Sequence, residues 1–232
     1  RFEINISEDR RKFEGGWQLT SASSGGKTHY FRTLVERNWR LSQNKRRPLV
    51  MISTEEAIDK TLKPLKMKRY AKLYTGVDVS QAAYQTYLEG NPGGSTDDFY
   101  NTHVKPAIKE MDANSMLCMD DWEDSPVFVQ LQRELERLLR IGRHKSISPV
   151  FAINHRILSG AMGKQLANSV RWRILFPRSS KHKIIGWLNL HVAMSLPEAK
   201  ALVRRIVPHS RWMGVHVHSP VFVVSEKYCS LL

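Results

Sequence analysis

The chain has 232 residues, of which 41% are hydrophobic, enough for one large domain or two small domains with a sizeable core. Its 36 lysines and arginines outnumber 22 aspartates and glutamates. The net charge of +14 favours polyanionic partners: nucleic acid, nucleotides or an anionic membrane surface.

Only two cysteines are present, which excludes a disulfide scaffold or a zinc ribbon and favours a reducing, intracellular compartment. No apolar run reaches the roughly 18 residues that a membrane-spanning helix needs. The alternative is a basic soluble protein without a polyanionic partner.

Apolar runs and helical periodicity predict alternating strands and helices in the first part of the chain. In order, these elements are a strand at 15–21, a helix at 26–41, a strand at 48–54, a helix within 54–70 that is broken at Pro64, and a strand at 71–77. The helix at 26–41 has an apolar stripe at helical spacing, formed by Phe31, Leu34, Val35 and Trp39. The run at 48–54 is continuously apolar, which is typical of a strand buried on both faces.

The alternation continues after a loop at 89–98, which is predicted from its glycine, proline and asparagine content. The elements that follow are a helix within 97–114 with a kink near Pro106, a strand at 115–121, a helix from about Val129, a strand at 148–155, and a strand at 169–177 that ends at Pro177. Strands that alternate with helices in this way predict an α/β fold with a mainly parallel sheet.

Residues 178–232 have a different pattern, and we expect them to form a small C-terminal α/β extension packed on a core of residues 1–177. Helices are predicted at 180–190 and 195–207. The second begins with a capping box of Ser195 and Glu198, with Pro197 in its first turn. The alternating run at 211–227 turns at Ser219-Pro220 and predicts a terminal β-hairpin.

The segment SASSGGKT lies between the first predicted strand and the first predicted helix. It matches the phosphate-loop pattern G-x-x-x-x-G-K-[ST] except that Ser21 replaces the first glycine. The candidate phosphate-binding residues are Ser21, Ala22, Ser23, Ser24, Gly25, Gly26, Lys27 and Thr28. Small residues let backbone N–H groups converge on phosphate oxygens at the positive end of the helix, while Lys27 reaches the β- and γ-phosphates and Thr28 binds Mg²⁺. A Gly/Ser turn without phosphate is the alternative.

The predicted strand at 115–121 ends in two acidic residues, Asp120 and Asp121. In phosphate-loop NTPases an acidic residue at such a strand end helps to hold Mg²⁺, and a neighbouring group orients the attacking water. We therefore expect Asp120 to bind magnesium together with Thr28, and Asp121 to position or activate the water. The alternative is that both aspartates cap the helix that follows.

Two further motifs follow in a fixed order: GRHK at 142–145, and INHR at the end of the strand at 148–155. With the phosphate loop, MDD and the later SVRWRILFPRSSKHKIIGWL, they resemble the FtsK/HerA superfamily of P-loop ATPases. Within that superfamily, the set is similar to the DNA-packaging ATPases of double-stranded DNA viruses and virus-like large transposons. The resemblance covers residues 13–185. It departs from the family pattern at Ser21 and at His155, where glutamine is usual.

The resemblance implies a RecA-like P-loop NTPase fold, ATP and Mg²⁺ as cofactors, and ATP hydrolysis that moves double-stranded DNA into a viral capsid. It assigns the γ-phosphate sensor to Asn154 or His155. Arg143 matches the arginine finger that reaches into a neighbouring subunit, which implies a homo-oligomeric ring. A capsid or portal component is then a further partner, and no membrane partner is expected. The implied location is intracellular, in the host-cell cytoplasm or a virus factory, or associated with the virion.

Three basic clusters are candidates for facing DNA: Lys45-Arg46-Arg47, Lys66-Lys68-Arg69 and Arg178-Lys181-Lys183. The alternative for each cluster is an ordinary solvated face. Two other functions stay open from the sequence. One is a small-molecule kinase that uses the same phosphate loop as a monomer, and the other is a non-enzymatic nucleic-acid-binding protein with a degenerate loop.

Overall fold

The computed structural model describes residues 4–6, 15–21, 25–42, 46–55, 59–112, 115–145, 147–154, 168–218 and 220–232; for 142–145 and 179–180 it describes the backbone alone. The described strands are β1 Gly16–Thr20, β2 Leu49–Ser53, β3 Tyr74–Asp78, β4 Met116–Asp120, β5 Val150–Asn154, β6 Val170–Leu175, β7 Met213–His216, β8 Phe222–Val224 and β9 Cys229–Leu231. They form one sheet in the order β3-β2-β4-β5-β1-β6-β7-β8-β9.

The described α-helices are α1 Lys27–Leu41, α2 Gln81–Gly90, α3 Thr96–Phe99, α4 Lys105–Lys109, α5 Phe128–Lys145, α6 Pro177–Val192 and α7 Leu196–Ile206. A π-helical turn, Tyr100–Val104, joins α3 to α4. Within the described residues, 3₁₀ segments lie at Lys60–Lys66, Lys68–Tyr70 and Trp122–Asp124. None of the described helices combines the length and the hydropathy that a membrane span requires.

Strands β3, β2, β4, β5, β1 and β6 are mutually parallel, and β7, β8 and β9 continue the sheet in antiparallel pairs. Every residue of β1, β2, β4 and β5 is buried, as expected for central strands covered on both faces. The predicted α/β class, with a mainly parallel sheet flanked by helices, is confirmed.

Helices cover both faces of the parallel part of the sheet. On one face, α1 inserts Phe31 against Phe151 of β5, with ring centroids 4.9 Å apart. On the other face, α5 contributes Leu131 and Leu135 to a separate apolar cluster. The chain therefore leaves the carboxyl ends of β1 and β4 towards opposite faces, and such divergent loops leave a crevice at that edge of the sheet.

Two helical predictions are wrong in detail. Within 54–70, the residues Lys60–Lys66 form a 3₁₀ helix with Pro64 inside it rather than an α-helix broken at Pro64. The predicted loop at 89–98 is shorter, because α2 extends to Gly90 and α3 begins after a capping box at Ser95. The irregularity expected near Pro106 is the π-helical turn that directly precedes α4.

The C-terminal predictions for individual elements are confirmed. Ser195 and Glu198 form the predicted capping box at the start of α7. Strands β7 and β8 form the predicted antiparallel hairpin, and β9 adds a third strand that the sequence did not reveal. Because β7 pairs directly with β6, this region extends the main sheet. The domain boundary after residue 177 stays a prediction.

Candidate active site

Three neighbouring strands end in polar residues at one edge of the sheet. Strand β5 lies between β1 and β4, and its last residue, Asn154, is in register with Thr20, the last residue of β1. Asp120, the last residue of β4, is in register with Ile153 of β5. The sheet topology therefore brings the end of the phosphate-loop strand and the acidic strand end to within two strand spacings.

The phosphate loop leads directly into α1, with Gly26 at the N-cap in a left-handed conformation, φ 92° and ψ 12°. A side chain at this position would meet no atom within 4 Å, so the need for glycine is conformational. The first turn of α1 contains no acidic residue, so the positive end of the helix dipole is not neutralised by its own side chains. These features are the ones that an anion requires at a helix N-terminus.

Serine fits at position 21, where the phosphate-loop pattern has glycine. Ser21 is buried, and its backbone N–H donates to the Asn154 carbonyl oxygen at 3.2 Å, which continues the ladder between β1 and β5. Its φ is not positive, so this conformation does not demand glycine. Gly25 follows close by, while Ala22, Ser23 and Ser24 lie outside the described residues.

The basic end of the loop meets the acidic end of β4. The Lys27 Nζ atom lies 3.4 Å from Asp121 Oδ1, and the two side chains are only 6% and 7% exposed. The Thr28 hydroxyl donates to Asp120 Oδ2 at 3.4 Å. The four residues that the sequence assigned to phosphate, metal and water binding therefore converge on one pocket.

Asp120 has the electrostatic properties of a cation ligand. Its Oδ1 atom is buried and has no hydrogen-bond partner among the described residues. Burial and the neighbouring Asp121 carboxylate raise the pKa of Asp120 well above its usual value, against the opposing effects of Lys27 and Thr28. A buried carboxylate oxygen without a partner is costly, and a divalent cation at this point would relieve that cost.

Asn154 is fully buried and both ends of its amide are hydrogen-bonded. Its Oδ1 atom accepts from Gln18 Nε2 at 3.1 Å, and its Nδ2 atom donates to Glu123 Oε2 at 3.0 Å. Glu123 lies in the 3₁₀ segment after Asp121, whose left-handed backbone (φ 51°, ψ 28°) starts the turn. The predicted sensor residue is therefore linked to a third carboxylate of the site.

The sequence analysis missed Glu123 and Gln18. Glu123 belongs to the acidic segment MDDWED and lies two residues after Asp121, so the set of candidate acidic residues could have been extended to include it. Gln18 is a polar residue between two apolar residues, Trp17 and Leu19, in a fully buried strand, which is itself a signal of a specific partner. Arg143 lies near the C-terminal end of α5, and its side chain is outside the described part of the structure, as is the whole of His155. Their roles stay predictions.

One of the expected DNA-facing clusters is corrected. Arg47 is fully buried, and its Nη1 atom donates to the Ser148 carbonyl oxygen at 2.5 Å. Its own carbonyl accepts from Trp39 Nε1 at 2.8 Å, so Arg47 holds the chain before β2 rather than facing DNA. Lys45, from the same cluster, lies outside the described residues.

The other two clusters are accessible. Lys68 and Arg69 are exposed near the start of β3, with Lys66 half-buried beside them. On α6 the exposed basic residues are Arg178, Lys181 and Lys183. Helix α6 begins directly after β6, which is parallel to β1, so this second cluster starts at the same edge of the sheet as the phosphate loop.

No protein-family model matches the sequence, and no curated protein matches it. Solved structures match at low identity. A KaiC-like protein from Pyrococcus horikoshii OT3 is 15% identical with a TM-score of 0.45, over 71% of this chain and 73% of its own. The pCW3 conjugation coupling protein TcpA, solved with ATPγS, is 12% identical with a TM-score of 0.48; the match covers 94% of this chain and 59% of TcpA. The genome packaging NTPase B204 of Sulfolobus turreted icosahedral virus 2, also solved with ATPγS, is 9% identical with a TM-score of 0.45, over 94% of this chain and 96% of its own.

Proposed function

We propose that this chain hydrolyses ATP with Mg²⁺ and uses the energy to move double-stranded DNA. The observation that carries this proposal is the convergence of Lys27 and Thr28 with Asp120 and Asp121 in one buried pocket at the carboxyl edge of the sheet. A helix N-terminus, a lysine and two carboxylates in this arrangement are the parts that phosphoryl transfer requires. Catalysis then consists of positioning and of stabilising developing charge.

The contacts seen in the pocket are the ones that nucleotide binding would replace. Lys27 turns from Asp121 to the β- and γ-phosphate oxygens, whose charge it then offsets. That exchange leaves the Asp121 carboxylate available to orient a water molecule. Asn154, held between Gln18 and Glu123 at the adjacent strand end, is the proposed sensor of the terminal phosphate.

The residues present fit a magnesium ion. Oxygen donors are what Mg²⁺ prefers, and Thr28 and Asp120 supply a hydroxyl and a carboxylate that already contact each other. The buried Oδ1 atom of Asp120 supports the same assignment. When bound, the ion would neutralise charge on the β- and γ-phosphates.

The proposed cargo is double-stranded DNA. More specifically, we propose that the chain packages a viral or transposon genome. It would do so as a homo-oligomeric ring that contacts a capsid or portal component. The net charge of +14 supports a polyanionic cargo, because lysine and arginine bind the phosphates of a duplex without sequence preference. The exposed cluster of Arg178, Lys181 and Lys183 supports it further, since it starts at the same sheet edge as the phosphate loop.

The test is steady-state ATP turnover with Mg²⁺, with and without duplex DNA, for wild type and Lys27→Ala. We expect wild-type turnover that duplex DNA stimulates, and a loss of about 100-fold or more in Lys27→Ala, because the lysine stabilises the transferring phosphoryl group. Lys200→Ala, an exposed lysine on α7, is the matched control and should retain full activity. Wild-type turnover by Lys27→Ala would falsify the proposal.

A further inference from the structure

A cavity of about 530 Å³ adjoins the phosphate loop, and Asp120 is not among the described residues that line it. Gly25 and Gly26 form one end of it, and the first half of α1 forms its floor through Tyr30 and Thr33. Its volume lies within the range of small-molecule sites, which is about 300–1,000 Å³. The magnesium and phosphate functions assigned above use none of its side chains.

The far wall of the cavity comes from the C-terminal strands at the same sheet edge. Phe176 follows the end of β6, and Trp212 precedes β7, which is antiparallel to β6. Glu226 lies two residues beyond the end of β8. These residues are therefore brought beside the phosphate loop by the way the C-terminal strands extend the sheet.

The cavity combines an aromatic wall with a few polar groups. The Tyr30 ring lies 5.1 Å from Trp212 and 6.1 Å from Phe176, measured between centroids. The Tyr30 hydroxyl is buried and has no hydrogen-bond partner among the described residues. Burial and, to a smaller extent, the nearby Glu226 carboxylate raise the pKa of Tyr30 above its usual range.

We propose that this cavity binds the adenine base of the nucleotide, with Glu226 as the acceptor for the exocyclic amine. The proposal rests on the ATP site proposed above and names the group that gives it base selectivity. A flat aromatic base stacks on aromatic side chains, and a pocket that hydrogen-bonds an amine rejects the analogue that lacks it. Arg37 and Arg211 also line the cavity and make it positively charged.

A steric block tests the site without removing any of its contacts. Thr33 is exposed and lines the cavity, so the indole of Thr33→Trp would fill the space meant for the base. Thr86→Trp on α2 is the matched control, because both threonines are exposed and donate to the carbonyl four residues earlier, at 2.9 and 3.1 Å. Calorimetry measures the binding of Mg-ADP and of Mg-pyrophosphate, which has no base.

We expect Thr33→Trp to weaken Mg-ADP binding about tenfold or more while pyrophosphate binding is unchanged, and Thr86→Trp to match wild type for both ligands. Equal ADP binding by Thr33→Trp and wild type would overturn the proposal. An equal loss for ADP and pyrophosphate would also overturn it, because that pattern places the disturbance at the phosphates.

The selectivity arm compares ADP with inosine diphosphate, in which the amine is replaced by an oxygen. Wild type should prefer ADP about tenfold, and Glu226→Leu should bring the ratio close to one. A wild type that binds both equally would overturn the role of Glu226. Selective ADP binding without ATP turnover would refute the proposed function but support the base site. ATP turnover without any preference for the base would support the proposed function but refute the base site.

Discussion

At the scale of single residues, the site is held together by opposite charges that are almost removed from water. The Lys27–Asp121 pair is nearly buried, so removing either partner would upset the charge balance of the site. Asp120, beside it, has no such cationic partner within hydrogen-bonding distance among the described residues, and burial raises its pKa. The pocket is therefore arranged for one additional cation rather than for two separate ion pairs.

Glu123 gives the first prediction at this scale. Replacing Glu123 by Gln keeps an oxygen that can accept from Asn154 but removes the negative charge next to the predicted sensor. Because this charge lies beside the residue proposed to sense the terminal phosphate, kcat for ATP should fall about 100-fold while KM changes little. Steady-state kinetics over a range of ATP concentrations measures both parameters.

The matched control for Glu123→Gln is Glu89→Gln, an exposed carboxylate at the end of α2. It should leave both kcat and KM at wild-type values. A normal kcat in Glu123→Gln would contradict the prediction. It would mean that Glu123 acts only through its hydrogen bond with Asn154 and that its negative charge is not needed.

At the scale of the elements, β6 carries a charge inside the sheet. Arg173 is fully buried, and its guanidinium nitrogens have no hydrogen-bond partner among the described residues. Its guanidinium carbon lies 4.5 Å from the ring centroid of Trp187 on α6. Burial lowers the pKa of Arg173 to about 9, so the cost of the buried charge applies below that pH and is relieved as pH rises through it.

We predict that Arg173→Met raises the free energy of unfolding by about 1–4 kcal/mol at neutral pH, because it replaces a buried unpaired charge with an apolar side chain of similar length. Urea denaturation followed by circular dichroism measures the change. Arg171→Met is the control on the same strand, since Arg171 is half-buried and its Nε donates to His216 Nε2 at 3.1 Å. A destabilised Arg173→Met would contradict the prediction.

The strands and the site residues on them were predictable because their signals are local. Continuous apolar runs predicted the central strands, and the acidic residues at the end of one of them predicted Asp120 and Asp121. The resemblance to the FtsK/HerA superfamily added Asn154, at the end of β5. Parallel strands bring their carboxyl ends to one edge, so the convergence of Lys27 with the aspartates followed from topology.

The features that escaped prediction depend on contacts between distant parts of the chain. Arg47 resembles a solvent-exposed cation in the sequence, yet it is buried because the Ser148 carbonyl, 101 residues away, accepts its hydrogen bond. Asn154 and Glu123 are 31 residues apart, and only the packed sheet brings them together. The helix α2 had a local signal that was not used, since Ser80 caps it by accepting from the Ala83 N–H.

At the scale of the whole molecule, we predict that a second copy of the chain completes the active site. Arg143 is the predicted finger, so Arg143→Ala should lose most ATP turnover, as Lys27→Ala does. Mixing the two inactive proteins should restore part of the activity, because some interfaces then join an intact phosphate loop to an intact finger. Turnover is measured against the mixing ratio.

The control mixture is Lys27→Ala with Lys27→Ala,Arg143→Ala, which contains no intact phosphate loop and should stay inactive. A monomeric kinase would gain no turnover from the first mixture. An Arg143→Ala protein that is fully active alone would contradict a finger role for this residue.

The most direct test of the central claim is a crystal structure of the wild-type protein with Mn²⁺ and a non-hydrolysable ATP analogue, with the metal located by its anomalous scattering. We expect a single manganese peak in contact with the Thr28 hydroxyl and on the Asp120 side of the pocket, with the terminal phosphate on Lys27. A nucleotide bound elsewhere, or a manganese ion remote from both Thr28 and Asp120, would contradict it.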